Sequence, residues 1–174
     1  MRKLLIPFFA LLGVVLLDQA AKVWAISYLA DRLSVEVLGD FLMLTLVFNE
    51  GGAMGTNFGS PAYYLISSLL ILLILMYYIY SHRDNHPVTV PLALICGGAI
   101  GNIIDRVRFG KVVDFLDVDF FNISFVGIEI QRWWTFNIAD AVISCSIVYL
   151  LARIIFFPAE RSQQHLDPAD VDAS

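Results

Sequence analysis

The stretch "TFNIADAVISCSIVYLLARIIFF", residues 135–157, decides the fold. It is long and apolar enough for one crossing of a bilayer, which takes roughly 20 apolar residues, range about 17 to 25. Yet Asn137 and Asp140 stand close to its start. Ionisable side chains in membrane segments are costly and as a rule face a protein interior or a wet cavity, so a carboxyl here marks a functional position.

The rest of the chain agrees with a membrane setting. Of 174 residues, 59% are hydrophobic and 16% charged, against roughly 25% charged in soluble domains. Spans are predicted over 4–26, 62–80, 88–104 and 136–157, which makes an all-α membrane protein of four transmembrane helices. Pro91 falls in the first turn of the third predicted span, where a missing N–H costs little. "MRK" followed by "LLIPFFALLGVVLL" also has the form of a cleaved signal peptide, but apolar residues continue past "DQAAK" and no A-x-A site follows, so it is read as a span.

An even number of spans puts both termini on one side, together with the short "SHRDNHP" connection (81–87). Lys and Arg are spread over both sides, so the positive-inside count is indecisive; "MRK" ahead of the first span places the termini in the cytoplasm. The net charge of −5 comes partly from the acidic tail 161–174, with Asp167, Asp170 and Asp172, which reads as solvated and disordered. It suggests no nucleic-acid partner. Cys96 and Cys145 fall inside spans, where free Cys behaves as a small apolar residue, so neither a disulfide nor a metal role is expected.

Opposite the termini lie two longer connections. In 27–61, "SVEVLGDF" and "LMLTLVF" are rich in β-branched and aromatic residues and bounded by Gly and Asn, the pattern of strands. The segment 105–135, with "KVVDFLDVDFFNISFVGIEI", reads the same way. Together they predict a small extramembrane β-sheet resting on the membrane surface.

The polar residues of the spans converge on one depth. At about 1.5 Å per residue, Asp18 and Asn102 each sit about 21 Å along their spans, and Asp140 enters its own from the other direction by about 6 Å. Asp18 with Lys22, Asn102 with Asp105 and Arg106, and Asn137 with Asp140 are spaced by three or four residues and share helix faces. Each has a plainer reading as well: an ion pair for Asp18 and Lys22, a water-boundary marker for Asp105 and Arg106, interhelical hydrogen bonds or caps for Asn102 and Asn137, an aromatic belt for Trp133 and Trp134.

Asp140 gains only modestly from the helix dipole and calls for a partner. Asp114, in "VVDF", is a candidate, with Asp117 and Asp119 nearby and, by spacing alone, only slightly behind it. Two carboxyls in a dry pocket share one proton and so hold a base and an acid at once. His82, His86 and His165 all lie on the termini side, away from this layer, which leaves no zinc site or Ser/His/Asp triad there. "GGAIGN" (97–102) reads as a close helix contact.

"LLDQAAK" (16–22), "FNEGGAMG" (48–55), "GGAIGNIIDR" (97–106), "VVDF" (112–115) and "FNIADAVI" (136–143) together resemble, in order and spacing, the motif blocks of bacterial lipoprotein signal peptidases, the signal peptidase II family, over about residues 4–157. The resemblance implies one integral membrane peptidase domain (1–160) in the inner membrane, with a periplasmic β-cradle and no cofactor or metal ion. It implies an aspartic endopeptidase acting on prolipoproteins that carry a diacylglyceryl cysteine, beside membrane lipid, and cutting just before that cysteine. Asp114 and Asp140 match the catalytic dyad; Asn49, Asn102, Arg106 and Asn137 match substrate-lining or supporting positions; Asp18, Lys22 and Asp105 match structural polar positions. It also implies cytoplasmic termini and a site near the periplasmic face. Glu50, "GGAM" and the long acidic stretch 117–132 depart from the pattern. The rival readings are a proton- or ion-coupled carrier, which would place its polar groups near the midplane and show repeats, and a non-enzymatic membrane assembly subunit.

Overall fold

The computed structural model describes residues 2–51, 59–119, 123–125, 128–130 and 134–157. After a single 3-10 turn (Arg2–Leu4), the order is α1 (Leu5–Leu29), β1 (Val35–Leu38), β2 (Leu42–Asn49), α2 (Pro61–Ser81), α3 (His86–Phe109), β3 (Val112–Val118), β4 (Ile123–Phe125), β5 (Ile128–Ile130) and α4 (Ile138–Phe156). All four helices are long and apolar enough to cross a membrane. α3 is the hub, packed on α1, α2 and α4. Lys3 pairs with Asp84 of the α2–α3 connection, so the chain start and that turn share one end of the bundle, as the span count requires.

The hub can sit so close because "GGAIG" removes side chains where neighbours touch. A Cβ on Gly97 would come within 2.7 Å of the Leu11 carbonyl oxygen in α1, and one on Gly98 within 2.9 Å of the Ala139 oxygen in α4. One on Gly101 would press into the carboxylate of Asp18.

Helix bounds differ from the expected ones for physical reasons. The third helix runs two residues earlier and five later than the predicted 88–104. Asp105, Arg106 and Arg108 belong to the helix rather than to a loop, because Asp105 finds a buried cation and need not reach water. α3 ends at Gly110, whose left-handed φ of 71° lets its N–H cap the Arg106 carbonyl. With the helix starting at His86, Pro91 lies in its second turn, not its first. The fourth helix starts at Ile138, not Phe136, because Asn137 is its cap and Phe136 instead bridges Leu116 of β3.

The strands form as expected. β1, β2 and β3 make an antiparallel sheet in that order, and β4 pairs with β5 separately. Val112, Val113, Asp114 and Phe115 are buried in succession, since β3 lies between β2 and the helix ends. Phe115 packs with Ala25 and Leu29, which fixes the sheet to the C-terminal end of α1. There Trp24 stacks on Tyr28 and Arg32 covers the Tyr28 ring, an interfacial ladder in keeping with membrane-edge aromatics. Trp134 is 41% exposed. Trp133, His165, the acidic tail and residues 52–58 lie outside the described residues.

Candidate active site

The polar layer is built from the C-terminal ends of α1 and α3, the N-terminal end of α4 and the buried strand β3. Lys22 is its electrostatic centre. Its ammonium lies 2.9 Å from Asp18 Oδ2, 2.7 Å from Asp105 Oδ2 and 2.8 Å from Asn102 Oδ1. Three protons meet three acceptors, so this buried cation is fully satisfied. The two carboxylates are tied in further: Asp18 Oδ1 accepts from the Ala139 N–H (3.0 Å) and Asp105 Oδ2 from the Val113 N–H (3.1 Å). α1, α3, α4 and β3 are thereby held in one register.

Upon this base stand three asparagines. Asn102 donates through Nδ2 to Asp140 Oδ1 at 2.9 Å. Asn49, on β2, donates to Asp114 Oδ2 at 3.1 Å. Asn137 caps α4 by accepting from the Asp140 N–H (3.0 Å), while its own N–H donates to Asp140 Oδ2 (3.3 Å), a reciprocal capping box. Its Nδ2 reaches Asp114 Oδ1 at 2.7 Å, Asn102 Oδ1 at 3.1 Å and the Val113 oxygen at 3.2 Å. With two amide protons for three acceptors, one proton is shared.

The carboxyls of Asp114 and Asp140 thus meet across one residue. Asp114 is buried and Asp140 half-buried, so the pair opens on the Asp140 side. Burial raises Asp114 to about 7; the charge of Asp140 pushes the same way, and the amides of Asn49 and Asn137 pull partly back. Arg106 lies within electrostatic reach of Asp140, Asp114 and Asp105 and makes two long contacts, 3.5 Å each, to the oxygens of Asn102 and Gly51. Four carboxylates against Lys22 and Arg106 leave two negative charges when all are ionised; one proton held by the pair halves that excess.

Strand alternation separates the acidic candidates. Asp117 is three residues from Asp114, an odd offset, and so points to the other face of β3, while Asp119 lies beyond the strand's end at Val118. Asp117 accepts from Thr45 on that other face, at 3.0 Å. A one-residue bulge in β2 between Leu44 and Val47 shifts its register and brings Asn49 onto the face of Asp114, diagonal to it. Asp18, Lys22, Asp105, Asn49, Asn102, Arg106, Asn137, Asp114 and Asp140 are all gathered here. The sequence reading missed Gln19, whose Nε2 joins Asp105 Oδ1 (3.1 Å), the Gly101 oxygen (3.1 Å) and Asp18 Oδ2 (3.3 Å). Its signal was an amide next to Asp18 inside an apolar helix. Glu50, noted only as a departure, pairs with Lys111 at 2.6 Å.

A family model described as signal peptidase (SPase) II matches residues 10–156. A lipoprotein signal peptidase of Pelodictyon phaeoclathratiforme is 38% identical over 156 residues, covering 88% of this chain and 92% of its own. One from Syntrophus aciditrophicus is 36% identical over 169 residues, 93% of this chain and 100% of its own. Among solved structures, a bacterial membrane enzyme determined in meso at 2.3 Å superposes with a TM-score of 0.75 and 28% identity, covering 92% of this chain and 93% of that one.

Proposed function

The chain belongs to the signal peptidase II family, a multi-pass membrane peptidase of lipoprotein precursors, and we propose that it cuts them just before a diacylglyceryl-modified cysteine with Asp114 and Asp140 as the catalytic dyad. The observation that carries the reading is Asn137: its side chain donates to Asp114 Oδ1 and its backbone N–H to Asp140 Oδ2, which ties the two carboxyls to one residue, close enough for the charge of Asp140 to act on Asp114.

The pair holds one proton between its two carboxyls. The ionised member accepts a proton from the attacking water while the protonated member hydrogen-bonds the scissile carbonyl oxygen as charge develops there; the proton taken from water then passes to the leaving amine nitrogen as the C–N bond breaks, which returns the pair to one shared proton. No covalent intermediate is required. Asn49, Asn102 and Asn137 aim the carboxylates and, with Arg106, line the groove for the substrate backbone. Lys22, Asp18 and Asp105 hold the three helices in register and do not touch substrate. The depth of the dyad fits such a substrate. A signal peptide's apolar stretch lies in the bilayer while the lipid-modified cysteine stays at its surface, and the two carboxyls wait just beneath that surface. With termini in the cytoplasm, this face is periplasmic.

The test uses purified protein in lipid with a prolipoprotein bearing either a diacylglyceryl or an unmodified cysteine, read by intact mass. Expected is one product beginning at the lipidated cysteine and little cleavage of the unmodified form; equal cleavage of both, or a cut elsewhere, would overturn the proposal. For orientation, Asn85→Cys should resist an impermeant thiol reagent in spheroplasts while Asp40→Cys reacts; the reverse pattern inverts the topology.

A further inference from the structure

We infer that Glu50 and Lys111 form a clasp that closes the end of the β2–β3 ladder and keeps the Asn49 amide on Asp114, which makes both of them positioning residues for hydrolysis. This inference rests on the dyad reading above. In the antiparallel register Val47 faces Asp114, Phe48 faces Val113 and Asn49 faces Val112. The next pair in that register is Glu50 opposite Lys111, and their side chains meet at 2.6 Å. β2 ends at Asn49, so without the clasp the last paired residue would sit at a fraying strand end. That residue supplies the donor to Asp114 Oδ2 at 3.1 Å.

The neighbouring contacts make the corner specific. Asn49 Oδ1 accepts from the Gly51 N–H at 2.9 Å, which sets which end of its amide faces Asp114. The tight turn at Gly110, with φ 71°, delivers Lys111 one residue after α3 closes. Phe109 meets Phe48 edge to face, ring centres 6.2 Å apart. Lys111 holds the Glu50 carboxyl below its usual range. Both side chains stay exposed, 64% and 42%, so the clasp touches no reacting atom and responds to ionic strength.

An exposed pair of this kind shifts the equilibrium it holds by up to about fivefold, and that bounds the rate loss expected from a less populated Asn49–Asp114 contact. Glu50→Gln and Lys111→Met should each lower kcat measurably, by no more than that factor, with KM for the lipidated substrate nearly unchanged, and the charge-exchanged Glu50→Lys with Lys111→Glu should restore most of it. In an Asn49→Ala background, Glu50→Gln should add nothing further, because the clasp acts through Asn49. The inference fails if Glu50→Gln leaves kcat unchanged, if the exchanged pair is no better than the single variants, or if the Glu50 effect persists undiminished without Asn49. These failures are separable from failure of the dyad: an active Asp114→Asn sinks the dyad, whereas an inactive one beside an indifferent Glu50→Gln sinks the clasp alone.

Discussion

Lys22→Met is the sharpest perturbation of the polar layer. The ammonium it removes contacts Asp18 at 2.9 Å, Asp105 at 2.7 Å and Asn102 at 2.8 Å, and the layer is closed to water, since the side chains of Lys22, Asp18 and Asp105 are 2%, 0% and 1% exposed. Asp18 keeps the Ala139 N–H and Asp105 the Val113 N–H, so each carboxylate retains an amide donor but loses its counter-ion. Leaving buried charge uncompensated costs about 3–5 kcal/mol. At roughly 2–4 °C per kcal/mol for a chain of this size, the melting temperature should fall by about 6–20 °C. The assay is thermal unfolding in one detergent of Lys22→Met and of the triple Lys22→Met, Asp18→Asn, Asp105→Asn, which removes the orphaned charges along with the cation. The triple variant should recover more than half of the loss. A Lys22→Met protein melting within a degree or two of wild type, or a triple variant no better than the single, would refute the account of this triad.

Gly101→Ala would drive a Cβ into the Asp18 carboxylate and should cost activity and stability together, by about 1–3 kcal/mol as overpacking; the comparison is Ile100→Ala, one residue away. The pH–rate profile should be a bell whose alkaline limb follows Asp114, raised to about 7. The Asn49 hydrogen bond favours the ionised form, so Asn49→Ala should raise that carboxyl and move the alkaline limb to higher pH. The same shift has a stability sign. A carboxyl raised from 3.8 to about 7 stabilises the fold fully below its unfolded value and loses that contribution as pH rises towards 7, about 4 kcal/mol at most. Asp114→Asn should therefore lose less melting temperature than wild type between pH 4 and pH 8.

Four helices were legible because spans of about 20 apolar residues have few other uses, and the strands because β-branched residues crowd between Gly and Asn. The ends of the helices were not. Asp105 looks like a loop residue until Lys22, 83 positions earlier in the chain, is known to meet it, and Asn137 fits a cap, an interhelical hydrogen bond or a substrate contact until its side chain is seen to accept from the Asp140 N–H. Helical rise alone brought Asp18, Asn102 and Asp140 to one layer correctly. Alternation along a strand sets Asp114 and Asp117 on opposite faces, but which face meets Asp140 was carried by the family resemblance and not by spacing, and it is the contact of Asn137 with Asp114 that puts Asp114 on that side. What no local pattern carried was the reach of Lys22 to Asp105 and Asn102 and the Glu50–Lys111 contact, which depend on register between distant segments; Gln19 showed only as an amide beside Asp18.

The most direct measurement of the central claim is cleavage of a diacylglyceryl prolipoprotein by wild type, Asp114→Asn and Asp140→Asn at equal amounts of folded protein. Loss of the proton-transfer partner predicts a fall in kcat of at least about 10²–10⁴-fold for each variant, with melting temperatures at or above that of wild type for Asp114→Asn at neutral pH. Normal cleavage by either folded variant would contradict the dyad.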